Sequence, residues 1–492
     1  MDGMLGLLGL GSVASVVYLV FSLIFRERAQ AWRDAARAAG LTNVQTSSFF
    51  GLETKLTGEA GALRLRLESY QRGKYEQGTR IVVSGLRHGS YALTIRTEGV
   101  SSTIEKVLGE KEFELGDDLF DSAAYLQGAP TLIRALFDAD TRRAMQGLLQ
   151  GHLRLKGARG EEALDVRTSL SDSELRVEIR ERLFTSLRRV LPEAVRAVLS
   201  LGERLARPDD LAGRIADNTR RESVPAVRLA NVQALAREFP THPRTRETLL
   251  ASLQDESQHV RLRAAIALGP DGRETLIDLA TRDDSRDQIA SRAILALGAD
   301  FPPAQALEKL QHALRAERPA VARACIEIIG RTGGPENFDA LAGVLASAGA
   351  ELAVAAAQAL GAGACADAGA EGALIEALGH ESTGVQVAAA NALGRIGTPL
   401  AVVPLRSCGG GRLFDGDVRR ATREAIVAIQ ARVTGASPGQ LSLAAGEAGQ
   451  VSLVDDDLRG RVSIQPATET AESPDDAAPR RPQASHVPTA QP

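Results

Sequence analysis

Val260-Arg-Leu-Arg-Ala-Ala-Ile-Ala-Leu-Gly269 and Val385-Gln-Val-Ala-Ala-Ala-Asn-Ala-Leu-Gly394 are two copies of one helical segment, and they decide the fold of nearly half the chain. Aligned on the apolar first residue, further copies start at Val227, Ile289, Val321, Leu352 and Val418, which gives spacings of 33, 29, 32, 31, 33 and 33 residues. A fixed period in that range marks stacked supersecondary units, each unable to bury its apolar face alone. Nine residues after the anchor stands a glycine in five copies, Gly269, Gly298, Gly330, Gly361 and Gly394; this predicts helix C-termini that need φ > 0. From the second copy onward a shorter apolar run precedes the anchor, such as Leu249/Leu250/Leu253 or Leu341/Val344/Leu345, so each unit reads as a helical hairpin. Pro270, Pro303, Pro335 and Pro399 sit near the starts of the first helices, where a missing N–H costs least.

Asp255, five residues before Val260-Arg261 and followed by Ala264, Ala267, Leu268 and Gly269, resembles the HEAT repeat. The alanine-rich form is similar to the bacterial HEAT-like repeats of the phycobilisome-lyase type. The resemblance covers residues 222–433, about seven hairpins, and implies an all-α solenoid (a superhelix) whose second helices line the concave face. Glu222/Arg228 and Asp255/Arg261 keep the acid and arginine of the signature, whereas Ala290, Ala322, Ala353 and Gln386 replace the arginine, so no continuous acid–arginine ladder is expected.

On a 100° wheel, positions +2 and +6 from the anchor lie opposite the buried arc. They form a ridge that is apolar early, with Leu229, Leu262, Ile266 and Leu295, and polar late. The polar residues Arg323, Glu327, Gln358, Asn391, Arg420 and Glu424 are the expected partner-binding set. Solenoid surfaces of this kind suit a protein or extended peptide.

Between residues 30 and 207 the periodicity changes. Leu63-Arg-Leu65-Arg-Leu67-Glu and Leu175-Arg-Val177-Glu-Ile179-Arg alternate strictly, as half-buried strands do. Further strands are expected at 80–84, 91–97, 111–115, 152–156 and 164–167, with helices over 130–149 and over 181–207, the latter broken near Pro192. The region reads as an α+β domain with an antiparallel sheet.

Residues 4–25, MLGLLGLGSVASVVYLVFSLIF, carry no charge, and about 20 apolar residues cross a bilayer as a helix. Arg26, Arg28, Arg33 and Arg37 follow, and only Asp2 precedes. The positive-inside rule then predicts a single-pass transmembrane helix in the bacterial cytoplasmic (inner) membrane, N-terminus outside and the bulk of the chain in the cytoplasm. Arginine far exceeds lysine, which is present six times, consistent with a high-GC bacterial coding sequence.

The net charge of −4 is carried by the tail, where eight acids face four arginines from Ala436 onward. Residues 436–492 read as a disordered, low-complexity tail. Within it Gly439-Gln-Leu-Ser-Leu443, Gly449-Gln-Val-Ser-Leu453 and Gly460-Arg-Val-Ser-Ile464 repeat an apolar–Ser–apolar unit, able to pair with another copy or add to a partner's sheet.

Catalytic chemistry finds no foothold. Cys325, Cys365 and Cys408 have no Cys-x-x-Cys spacing, the seven histidines are scattered, and no nucleotide or nucleophile-elbow motif is present. The acids of Gly116-Asp117-Asp118-Leu119-Phe120-Asp121 miss the EF-hand pattern and read as a polar turn. Acids interleave with Arg261, Arg263, Arg292, Arg323, Arg419 and Arg420 and aromatic residues are few, so no nucleic-acid surface is expected. No cofactor, metal or small-molecule substrate is identified. The expectation is a membrane-anchored HEAT-repeat scaffold for protein partners. Two alternatives are a bilin-lyase-type enzyme or lyase subunit, implied by the resemblance, and a ligand-sensing α+β domain relayed through the repeats.

Overall fold

The computed structural model describes residues 26–49, 52–72, 76–88, 93–97, 113–157, 160–171, 173–180, 187–362, 368–409, 416–432, 441–443 and 451–453. The chain forms two compact units, Met1–Ala359 and Leu360–Pro492.

The first unit opens with a helix, α1, over residues 26–38. Its Ala31, Trp32, Ala35 and Ala36 are buried in the core of a sheet domain, and the Trp32 indole N–H donates to the Thr79 hydroxyl at 3.2 Å. Among the described residues no helix is long and apolar enough to cross a membrane. The expected transmembrane helix over 4–25 lies outside the described residues. It is corrected here, together with the single-pass inner-membrane location drawn from it: the arginine-bearing segment read as its cytoplasmic flank is an amphipathic helix whose apolar face belongs to the sheet domain.

The sheet has nine strands: β1 (Thr42–Phe49), β2 (Leu52–Ala60), β3 (Leu63–Arg72), β4 (Glu76–Ser84), β5 (Thr94–Thr97), β6 (Ala124–Gln127), β7 (His152–Gly157), β8 (Gly160–Ser171) and β9 (Glu174–Arg180). Their order is β1-β2-β3-β4-β9-β8-β5-β6, with β7 paired to β8, and every pairing is antiparallel. Register sets Leu65 opposite Val83 and Leu67 opposite Ile81, and Ile81 and Val83 opposite Val177 and Leu175. A period of two therefore gathers these side chains on one buried face, as the alternation predicts. Each contributes about 1.5–3 kcal/mol on burial. Helix α5 (Leu187–Leu205) joins the same core through Leu191, Val195 and Val198. It runs through Pro192 without the expected break.

Two further local expectations are corrected. Residues 113–115 form no strand; the Phe113 N–H donates to the Leu126 carbonyl at 2.9 Å, and the strand there is β6. The single helix expected over 130–149 is two helices, α3 (Pro130–Leu136) and α4 (Ala139–Leu149), because the Asp138 carboxylate caps α4 by accepting from Thr141 N–H. A short turn of helix, α2 (Asp118–Asp121), precedes β6.

Helical hairpins follow. The first, α6 (Leu211–Arg221) with α7 (Pro225–Glu238), starts with a helix that the anchor pattern did not mark. Then come α8 (Pro243–Ser252) with α9 (Gln258–Leu268), α10 (Arg273–Thr281) with α11 (Asp287–Leu297), α12 (Pro303–Arg315) with α13 (Pro319–Thr332), and α14 (Pro335–Ser347) with α15 (Ala350–Leu360). Proline stands at the first helical position of α7, α8, α12, α13 and α14, where its lost N–H has no intrahelical partner.

The second unit contains α16 (Ala368–Ala377) with α17 (Thr383–Ile396), and α18 (Val402–Gly409) with α19 (Gly416–Arg432). In the tail β10 (Leu441–Leu443) pairs antiparallel with β11 (Val451–Leu453), Ser442 opposite Ser452. Two of the three apolar–Ser–apolar repeats thus pair with each other, one of the two roles their alternation allowed. The third copy lies outside the described residues.

Candidate functional site

The acid-bearing motif Gly116–Asp121 is a structural joint. The Asp121 carboxylate accepts from the backbone N–H groups of Leu115, Gly116 and Asp117 at 3.1, 2.8 and 3.0 Å. Burial outweighs those donors and holds its carboxyl above the ordinary range. Asp117 caps α2 and takes the Arg142 Nε–H at 2.7 Å. The other two guanidinium nitrogens of Arg142 donate to both carboxylate oxygens of Glu222 at 2.8 and 2.9 Å. The side chains of Arg142 and Glu222 are 3% and 1% exposed, so the pair fastens the first hairpin to α4 in a place without water. Asn218 of α6 adds hydrogen bonds to the Arg134 and Ala135 carbonyls, and Ala135 packs with Ala212, Ile215 and Leu235. Asp117, Asp121 and Glu222 are thus committed to N–H donors and arginine. Among the described residues no group of three or more His, Cys, Asp or Glu side chains is placed to hold a metal.

The ladder of the early repeats is partly built. Arg228 donates bidentately to Asp255 at 2.8 and 2.9 Å and also reaches the Glu222 and Ser223 carbonyls. Arg261 donates to the Asp255 carbonyl at 2.7 Å. Where alanine then replaces arginine, other groups take over: the Asp287 carboxylate accepts from Ala320 and Val321 N–H, both at 3.0 Å, across one repeat.

The repeat glycines divide into two kinds. Gly269 and Gly298 have φ of +59° and +54°, with open space where a Cβ would stand. They end α9 and α11, as expected. Gly330 and Gly394 lie instead inside α13 and α17. A Cβ on Gly330 would be 2.6 Å from the Ala359 Cβ, one on Gly361 2.6 Å from the Ala392 Cβ, and one on Gly394 3.1 Å from the Ala425 Cα. In these copies the glycine is a notch for the alanine at +7 of the next repeat.

A groove of about 260 Å³ crosses the second helices of the first three hairpins. Leu229, Leu262, Ile266 and Leu295 line it, with Gln233, His259, Arg263 and Arg292 beside them. Leu262 is buried at 4%, whereas Ile266 and Leu295 are 39% and 40% exposed, an unusual state for two large aliphatic side chains one repeat apart. The groove coincides with the apolar part of the +2/+6 ridge. Arg263 and Arg292, at +3, were set aside in the sequence as interleaved with acids, and His259, before the anchor, was not placed on the ridge; a wheel with a buried arc at 0, +4, +7 and +8 places +3 beside the arc's edge.

The six late-ridge residues are exposed and polar. In the first unit Arg323 lies 3.8 Å from Glu351, Glu327 pairs with Arg331, and Gln358 stands on α15. In the second unit Arg420 pairs with Asp417 at 3.2 Å, and Asn391 and Glu424 stand on α17 and α19. No described cavity collects them.

A larger cleft of about 740 Å³ in the sheet domain is lined in part by Asp140, Arg143, Arg154 and Arg204; Arg143 and Arg204 both pair with Asp140, at 3.4 and 3.5 Å. Cys325 is fully buried, and burial pushes its thiol up to about 12, so it is a packing residue. Cys408 donates to the Leu378 carbonyl at 3.4 Å, and Cys365 lies outside the described residues.

A family model described as HEAT repeats matches residues 273–361 and 344–427. This part of the chain is built of HEAT repeats. The hairpins before residue 273 lie outside the match. No curated protein matches the chain. A solved structure of human deoxyhypusine hydroxylase in complex with glycerol is similar over 45% of this chain and 98% of its own, at 17% identity and a TM-score of 0.20; a likeness that slight carries no argument about this chain.

Proposed function

We propose that the chain is a protein-interaction scaffold and that its receiving surface is the groove across α7, α9 and α11. The observation that carries this reading is the pair of exposed aliphatic side chains, Ile266 and Leu295, above a floor of Leu229 and Leu262. Single exposed apolar residues are ordinary; a row of them on successive repeats, lining a depression, is how repeat proteins present a binding face. No catalytic step is assigned, and the sheet domain serves as the base to which the first hairpin is fastened.

The test is to purify the full chain beside Ile266→Asp/Leu295→Asp, with circular dichroism as a check on folding. Both positions are already exposed, so the fold is expected to survive. Partner proteins are expected to be lost from the variant; an unchanged set would contradict the groove as the receiving surface.

A further inference from the structure

We infer that the groove takes an acidic, apolar-anchored protein segment, one that sets aliphatic or aromatic side chains between carboxylates; this rests on the reading of the groove as a docking surface.

The arginines of the three lining helices are used in two ways. Arg228 and Arg261 are committed to Asp255 and to the carbonyls at the helix starts. Arg263 and Arg292, exposed at the groove itself, have no carboxylate partner among the described residues, and no acid lines the depression. Helix α9 contains no Asp or Glu. The one acid of α11, Asp287, is turned to the backbone N–H groups of Ala320 and Val321, and Glu238 at the end of α7 faces Arg237. The groove therefore presents two unmatched positive charges one repeat apart beside an apolar floor. Charge complementarity of that kind selects partners and speeds encounter. A single-stranded nucleic acid stacks its bases on several aromatic rings, and the groove is lined by no Phe, Tyr or Trp, with His259 its one ring. A segment lying across three successive helices meets both guanidinium groups while its apolar side chains enter between them.

The probes are short synthetic peptides with the same leucine spacing and Glu, Gln or Lys at the intervening positions, titrated against the full chain by fluorescence anisotropy. The Glu peptide is expected to bind about tenfold tighter than the Gln peptide and to weaken as salt is raised. Arg263→Gln/Arg292→Gln should abolish that preference, and Arg263→Glu/Arg292→Glu should transfer it to the Lys peptide, a gain that misfolding cannot imitate. Equal binding of Glu and Gln peptides, with both lost in Ile266→Asp/Leu295→Asp, would overturn the charge inference and leave the docking surface standing. Binding of no peptide, or preference for an oligonucleotide probe at the same arginines, would overturn the inference outright.

Discussion

Around Gly269 and Gly298 the repeat glycine ends its helix in the left-handed region, with empty space beside it; around Gly330, Gly361 and Gly394 the same sequence position is a contact surface pressed on the next repeat's alanine. One letter in one column of the repeat thus serves backbone conformation in the early hairpins and helix approach in the late ones. The polar chemistry divides similarly. The early end carries a buried arginine–carboxylate cluster and the Arg228–Asp255 bidentate pair, whereas Arg323, Glu327 and Arg420 of the late ridge sit in exposed pairs. The early second helices leave Ile266 and Leu295 open along a groove. The difference teaches that repeats of one length and pattern need not share one energetic design.

The comparison breaks most visibly at Arg142. Arg142→Ala strands the Glu222 carboxylate without its partner and is expected to cost about 3–5 kcal/mol in denaturant unfolding, as removal of one member of a buried pair does. A loss below 1 kcal/mol, roughly that of an exposed pair, would mean the early end is not fastened in this way. Gly330→Ala comes next, at about 1–3 kcal/mol, because the added methyl overpacks against Ala359. Adding Ala359→Gly should recover part of it, and a double-mutant cycle with no coupling would sink the notch reading. Gly269→Ala should cost about 1–2 kcal/mol for a side chain held at positive φ, with no neighbouring substitution able to recover it. Arg420→Ala should move stability by less than about 0.5 kcal/mol, since the Asp417 pair is exposed.

Much of this was legible in the sequence. Anchor spacing gave the hairpins from α8 onward, and strict alternation gave β3 and β9, because each pattern reports which side chains must leave water. At Gly116–Asp121 the sequence read as a polar turn, and the structure forms one turn of helix capped by Asp117, a cap that the cation spacing did not bring out. Strands β1 and β2 were not legible, since Thr42–Phe49 is largely polar and its pairing is imposed by the neighbouring strands. Helix α6 escaped because its burial is spent partly on α3 and the sheet domain rather than on the repeat pattern. The apolar half of the groove was visible on the wheel. Its arginines were not, because their importance lies in lacking a partner, and sequence spacing does not show which carboxylates are already engaged.

Whether the early groove or the polar late ridge receives the protein partner is decided by placing a photo-crosslinking amino acid at position 266 or, in parallel, at position 391 of the full chain in its native cells. A defined crosslinked partner at 266, absent at 391 and absent when Leu295→Asp is added, is the result expected. Crosslinking at 391 with none at 266 would contradict it and move the receiving surface to the late repeats.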